Sequence, residues 1–343
     1  MRSRILKERG GPLPLGSVLS QDVLGADGRV ALGKGSVLSE ADVARLRDLP
    51  WNELHLIDLE PGDLHEEEAG RRLARAAAGE GVAVQPLAAG TWPLAAQHRG
   101  LFEVDPAQLA RINEIEDLAV VTLPRHQVVL EGELVGRAKI VPFVTREDRV
   151  QRAEAIAAES GGLLRVRNFS VTRVAVLVRE SIDDASLSRF RGALEEKLAF
   201  FGASLVSLVR VGADPAALDG ALQEATRGAQ LVALAGSRVM DPLDPGLAAV
   251  GRAGARVETQ GVPLHPGTLM WLAYLGEVPV LGAPGCALFA KPTAFDLLLP
   301  RLLAGERLTR AHLAELGAGG LITGEMGFRY PPYRPSGTRG ELG

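Results

Sequence analysis

The spacing of apolar positions divides the chain into two kinds of text. Arg173 to Val178 (RVAVLV) is a nearly unbroken apolar run, the pattern of a strand buried on both faces of a parallel sheet. Leu187, Phe190, Leu194, Leu198 and Phe201 then recur at helical spacing, which predicts a helix from Ala185 to Phe201. Ser204–Val211, Leu231–Ala235, Arg256–Thr259 and Val278–Leu281 read as further strands. Pro215–Arg227, Gly246–Gly254 and Phe289–Leu303 read as helices. Alternation at this pace predicts an α/β domain of three layers, a mostly parallel sheet with helices on both faces.

The preceding text is smaller in scale. Ser17–Val23 alternates like a strand, Ala26–Arg29 is a turn, Ser39 caps a helix, and Asn52–Asp58 is a second strand. A helix is expected from Asp63 to Ala78, then short strands from Val82 to Phe143, of which Val128–Phe143 alternates most clearly. Arg149–Glu159 reads as a connecting helix and Gly161-Gly162 as a joint. The organisation expected is a small α+β unit (1–80), a β-rich middle region with a connecting helix (81–170), the α/β domain (171–305) and an extension (306–343). The Pro- and Gly-rich run from Tyr330 is expected to be flexible.

Composition narrows the function classes. The chain of 343 residues is 46% hydrophobic and 23% charged, ordinary for a globular protein, with a net charge of −4. Nothing in that balance marks a nucleic-acid or anionic-membrane surface. Its one cysteine, Cys286, excludes an internal disulfide and a cysteine-rich zinc site. The basic N-terminus lacks the apolar core of a secretory signal, and no run of about 18 apolar residues occurs. A cytoplasmic protein without a membrane span is therefore expected.

In open α/β sheets ligands bind outside the carboxyl ends of the strands, so the loops after Val178, Ala235 and Leu281 come first. Three segments there carry a resemblance. Leu231-Val-Ala-Leu-Ala-Gly236 is followed by Asp241 and Asp244; Gly261-Val-Pro-Leu-His-Pro-Gly267 comes next; Val278-Pro-Val-Leu-Gly-Ala-Pro-Gly-Cys286 is the third. In order and spacing they resemble the molybdopterin-binding domain of the molybdopterin molybdenumtransferase and gephyrin family. The Pro-Gly-Cys286 position and Phe295–Arg301 (FDLLLPR) look closer to a bacterial branch described simply as molybdopterin-binding proteins. The resemblance covers Val171 to Gly305, about two fifths of the chain.

What the resemblance implies is molybdopterin, or the molybdenum cofactor, held in loops where glycine admits backbone N–H groups to a phosphate. Gly236, Ser237, Gly282, Pro284, Gly285 and Cys286 fall there, with Glu180 standing for the family's first-loop acidic residue and His265, Pro266 and Gly267 in the facing loop. Asp241 and Asp244 are the catalytic candidates, and the pair that would hold Mg²⁺. The family's glycine-rich loop is replaced by Ala235-Gly-Ser-Arg-Val-Met240, and its lysine by Thr268. Arg238 and Arg179 could supply anion contacts instead, or be ordinary surface arginines. Cys286 reads as a thiol activated at a helix start or as a small buried hydrophobe, the commoner role. His65 beside Glu66, Glu67 and Glu68 reads as a metal cluster or as a solvated helix start.

Three functions follow. The first is molybdopterin binding in cofactor biosynthesis, maturation or delivery to a molybdoenzyme apoprotein. The second is an active molybdotransferase working on the adenylate with molybdate. The third is a non-catalytic interaction or sensor module. A homo-oligomer is expected in each.

Overall fold

The computed structural model describes residues 2–7, 15–179, 182–212, 214–237, 240–241, 243–284 and 293–333. The chain divides into two compact units. The first comprises Met1–His98, Phe102–Arg125 and Leu130–Val166; the second comprises Arg167–Gly343 with two short stretches, Arg99–Leu101 and His126–Val129.

The first unit begins with β1 (Arg2–Leu6), β2 (Val18–Leu19), β3 (Val23–Leu24), β4 (Val30–Leu32), α1 (Glu40–Asp48) and β5 (Leu54–Asp58). The expected strand over Ser17–Val23 is thus two short ones. Ser39 caps α1 reciprocally with Asp42, as a Ser-x-x-Asp start demands. Next come β6 (Asp63–His65), α2 (Glu66–Ala77), β7 (Val82–Val84), β8 (Trp92–Ala96), β9 (Gly100–Val104) and α3 (Pro106–Asn113). The helix expected from Asp63 starts three residues late, because Asp63–His65 pairs with the strand at Val144–Arg146. α3 interrupts a region expected to be all strand. Then follow β10 (Leu118–Thr122), β12 (Leu134–Ile140), β13 (Val144–Arg146), α4 (Glu147–Ala158) and β14 (Leu164–Arg167), while β11 (Val128–Val129) falls in a stretch counted with the second unit. The antiparallel order is β10-β12-β8-β7, and α2 lies against it, with Gly70 pressed on the Trp92 indole.

The second unit contains β15 (Arg173–Val178), α5 (Asp184–Phe200), β16 (Ser204–Arg210), α6 (Pro215–Gly228), β17 (Leu231–Ala235), α7 (Pro245–Arg252), β18 (Arg256–Gln260), β19 (Trp271–Leu275), β20 (Val278–Ala283), α8 (Ala294–Leu303) and α9 (Arg310–Ala314). Its six strands run in the order β16-β15-β17-β20-β19-β18. β16, β15, β17 and β20 pair in parallel, whereas β19 is antiparallel to both of its neighbours. The sheet is therefore mixed. β19 was not expected, yet Trp271–Leu275 and Val278–Ala283 flank the two-residue turn Gly276-Glu277, a hairpin arrangement with positive φ at the glycine.

The strands' period of two sends their side chains into two separate cores. Val174, Val176, Val178, Ala233 and Leu281 pack with Phe190, Leu194, Leu198, Phe295 and Leu299 from α5 and α8. Ala175, Leu177, Val232 and Leu234 pack with Leu218 and Leu222 of α6 and Ala249 and Val250 of α7. The described start of the tail is packed. Tyr330 and Tyr333 are each only 7% exposed, because both rings join the first of these cores. Residues 334–343 lie outside the described residues.

Candidate functional site

Register places three loops side by side. Val178 pairs with Ala235, and Ala235 with Ala283, so β15, β17 and β20 end level at one edge of the sheet. The chain leaves them at Arg179, Gly236 and Pro284.

Arg179 sits first in its loop, its backbone N–H donating to the Ala235 carbonyl at 2.9 Å. The side chain is partly exposed, but its Nε is buried and has no hydrogen-bond partner among the described residues. A buried guanidinium donor left unpaired is costly, and an anion would satisfy it. Glu180 lies outside the described residues.

The second loop is engaged with the protein itself. Gly236 and Ser237 both donate their backbone N–H groups to the Ala283 carbonyl, at 2.9 and 3.3 Å. The Ser237 hydroxyl, fully buried, donates to Asp244 Oδ1 at 2.5 Å and accepts from the Trp271 indole at 2.8 Å. Asp244 Oδ1 also accepts from the Leu247 N–H at 3.0 Å, which makes Asp244 the N-cap of α7. Asp244 is only 5% exposed. Of the two carboxylates expected to form one catalytic, Mg²⁺-holding pair, Asp244 is a buried helix cap. Asp241 is exposed; its Oδ1 accepts from the Leu243 N–H at 2.9 Å, closing a small turn. Among the described residues, no group of three or more His, Cys, Asp or Glu side chains is placed to hold a metal. Arg238 lies outside the described residues.

Gly282 serves packing as well. A Cβ there would lie 1.9 Å from Cε2 of Trp271, so the glycine makes room for the indole. Expected to let a phosphate approach, it has its backbone paired on both sides, to Leu234 and to Trp271. Pro284 is half-buried at the loop start; Gly285 and Cys286 lie outside the described residues.

The His265–Gly267 loop is brought to the first turn of α8. Pro266 offers its carbonyl to the Ala294 N–H at 3.3 Å. Gly267, at φ +126°, comes so close that a Cβ would lie 2.3 Å from that of Ala294. The His265 backbone is stapled to Gly320 and Ile322 by hydrogen bonds of 2.8 and 2.9 Å. Its side chain is exposed.

A buried charge cluster stands behind this loop and was not foreseen. Lys197 Nζ and the Tyr333 hydroxyl each donate to Asp296 Oδ1 at 2.7 Å. Asp296 Oδ2 accepts from the Thr293 N–H at 2.8 Å, within the capping box of α8. Both charged side chains are fully buried. Burial, and then the Asp296 charge, push the Tyr333 phenol well above its ordinary pKa, which keeps it a neutral donor. The sequence held the signal: Lys197 follows Phe190 by seven residues and so continues the buried stripe of α5.

The geometry amounts to one guanidinium with an unsatisfied donor at the level strand ends, beside described loop residues (Gly236, Ser237, Asp244) whose polar atoms are engaged within the protein. It fits an anionic group held by Arg179. No helix is long and apolar enough to cross a membrane among the described residues.

No family profile matches the chain, and no curated protein does. Solved structures with limited similarity include a molybdopterin biosynthesis MoeA protein from Pyrococcus horikoshii, 13% identical, covering 70% of this chain and 79% of its own, with a TM-score of 0.31. The molybdopterin biosynthesis enzyme MoaB from Thermus thermophilus is 16% identical, covering 40% of this chain and 98% of its own, at 0.29. A CinA protein of unknown function from Thermoplasma acidophilum is 11% identical, covering 34% and 89%, at 0.28. The superposable structure is too small for these likenesses to bear on the chemistry of this chain.

Proposed function

We propose that the second unit binds molybdopterin, free or as the metallated cofactor, and acts in molybdenum cofactor biosynthesis, maturation or delivery. The observation that carries the reading is the orphaned Arg179 Nε at the level ends of β15, β17 and β20. It is joined by the sequence resemblance of the loops around it. Molybdopterin brings a terminal phosphate and a dithiolene that takes the metal. Arg179 would take the phosphate in this reading, with His265 and Pro284 as neighbouring loop contacts and Asp241 as the exposed carboxylate. Cofactor contacts by Glu180, Arg238, Gly285 and Cys286 belong to the same proposal. So do a homo-oligomer, a molybdoenzyme apoprotein as partner, a mostly parallel three-layer domain and a cytoplasmic location.

An active transferase inserting molybdate is the second reading, and Asp241 is the carboxylate left for it. The buried Asp244–Ser237–Trp271 network favours binding without turnover, since two of the polar side chains that would face a ligand hold the fold together instead. Incubating the chain with molybdopterin adenylate and molybdate separates the two. Release of adenylate that stops in Asp241→Asn supports the transferase; binding without release supports the carrier.

A further inference from the structure

The first unit contains a cavity of about 450 Å³ unrelated to the loops described above, within the usual range for small-molecule sites. It lies among the loop at Lys34–Val37, the start of α2 and the segment Leu87–Trp92, with Ile140 of β12 beside Trp92. His65 holds the first two together. Its Nε2 lies 2.7 Å from the Gly35 carbonyl, and its Nδ1 accepts from the Glu67 N–H at 3.3 Å. Both ring nitrogens are thereby engaged within the protein. His65 is thus a wall of the cavity and not a metal ligand.

The remaining groups are uncommitted. Lys34 makes no side-chain hydrogen bond or ion pair among the described residues, and neither do Glu66 and Glu67. Gly35, at φ +83°, holds its loop against Glu66, whose Oε1 would lie 2.9 Å from a Cβ there. Val37 and Leu87 stand at the rim, 44% and 43% exposed, apolar surface that a ligand would cover.

A simple anion would meet two carboxylates for one ammonium, and a simple cation would meet Lys34. A molecule carrying both charges on a short backbone, with an apolar side group, answers every free group at once. We propose that this cavity binds a zwitterion of the α-amino acid class. Its carboxylate would lie on Lys34, its ammonium on Glu66 and Glu67, and its side group among Trp92, Ile140, Val37 and Leu87. The site is independent of the function proposed for the second unit.

Calorimetric titration of the full chain with L-phenylalanine, phenethylamine and 3-phenylpropanoate tests the proposal. L-Phenylalanine is expected to bind, with each half-molecule weaker by roughly tenfold or more. Lys34→Met should erase the advantage of phenylalanine over the amine. The paired Glu66→Gln and Glu67→Gln substitutions should erase its advantage over the acid. These side chains are not in the hydrophobic core, and circular dichroism of each variant confirms folding. No heat with millimolar phenylalanine would overturn the site, as would affinities unchanged by the substitutions. Equal binding of phenethylamine to the unaltered chain would overturn the zwitterion in favour of a plain cation site.

Discussion

Gly282 and Gly192 make a matched pair of single-atom tests. Adding a methyl at Gly282 forces it to 1.9 Å from the Trp271 ring, while Gly192, on α5, has nothing within 4 Å. Gly282→Ala is expected to lose about 1–3 kcal/mol of stability to overpacking, and Gly192→Ala to be neutral or gain up to about 1 kcal/mol. Urea denaturation measures both, and equal effects would refute the packing account of Gly282. Asp244→Ala should cost about 0.5–2 kcal/mol as a lost cap, whereas Asp241→Ala should leave the midpoint unmoved. The cap was legible in the sequence. Asp105-Pro106, Asp214-Pro215 and Asp244-Pro245 each start a helix, with aspartate as N-cap and proline in the first turn. The family resemblance of the Asp241–Asp244 stretch concealed that third instance. The role of Gly282 was not legible, because the ring it accommodates is brought opposite only by the β19–β20 pairing.

Between elements, the Lys197–Asp296–Tyr333 cluster ties α5, α8 and the C-terminal segment together inside one core. Lys197→Met would strand a buried carboxylate and is expected to cost about 3–5 kcal/mol. Tyr333→Phe removes one neutral donor and should cost about 1 kcal/mol, with the rest of the ring packing intact. Denaturation of the two variants checks the ranking, and a reversal would contradict the assigned geometry. Arg301, in the last turn of α8, pairs with Glu306 just beyond the helix through bonds of 2.8 and 2.6 Å. Burial pulls the Glu306 carboxyl up, but its bonds to the Arg301 guanidinium, with His126 and His312 adding to the positive field, hold it below its ordinary value of 4.5. A folded value below the unfolded one means that this stabilisation is full above about pH 4.5 and fades as the pH falls through the folded value. Glu306→Gln should therefore flatten the acid side of the stability profile and leave its slope near neutrality unchanged. The helices and parallel strands of this unit were legible from apolar period alone. β19 was not, since five apolar residues before a turn read equally well as loop or strand.

For the whole molecule, the division into two units, the first with a core around Leu19, Leu46, Leu54 and Leu56 and the second with the two cores described above, makes ligand effects separable. A ligand that binds one folded unit raises the stability of that unit by mass action. An α-amino acid should shift the unfolding of the first unit, and molybdopterin that of the second, as read by calorimetry on the intact chain. The most direct measurement titrates the chain with molybdopterin and follows the pterin fluorescence, in parallel with Arg179→Ala. The account predicts saturable binding by the unaltered chain and its loss in the variant, whose unfolding midpoint is preserved because the Arg179 side chain makes no hydrogen bond among the described residues. Absence of binding at tens of micromolar, or equal binding by both proteins, would contradict it.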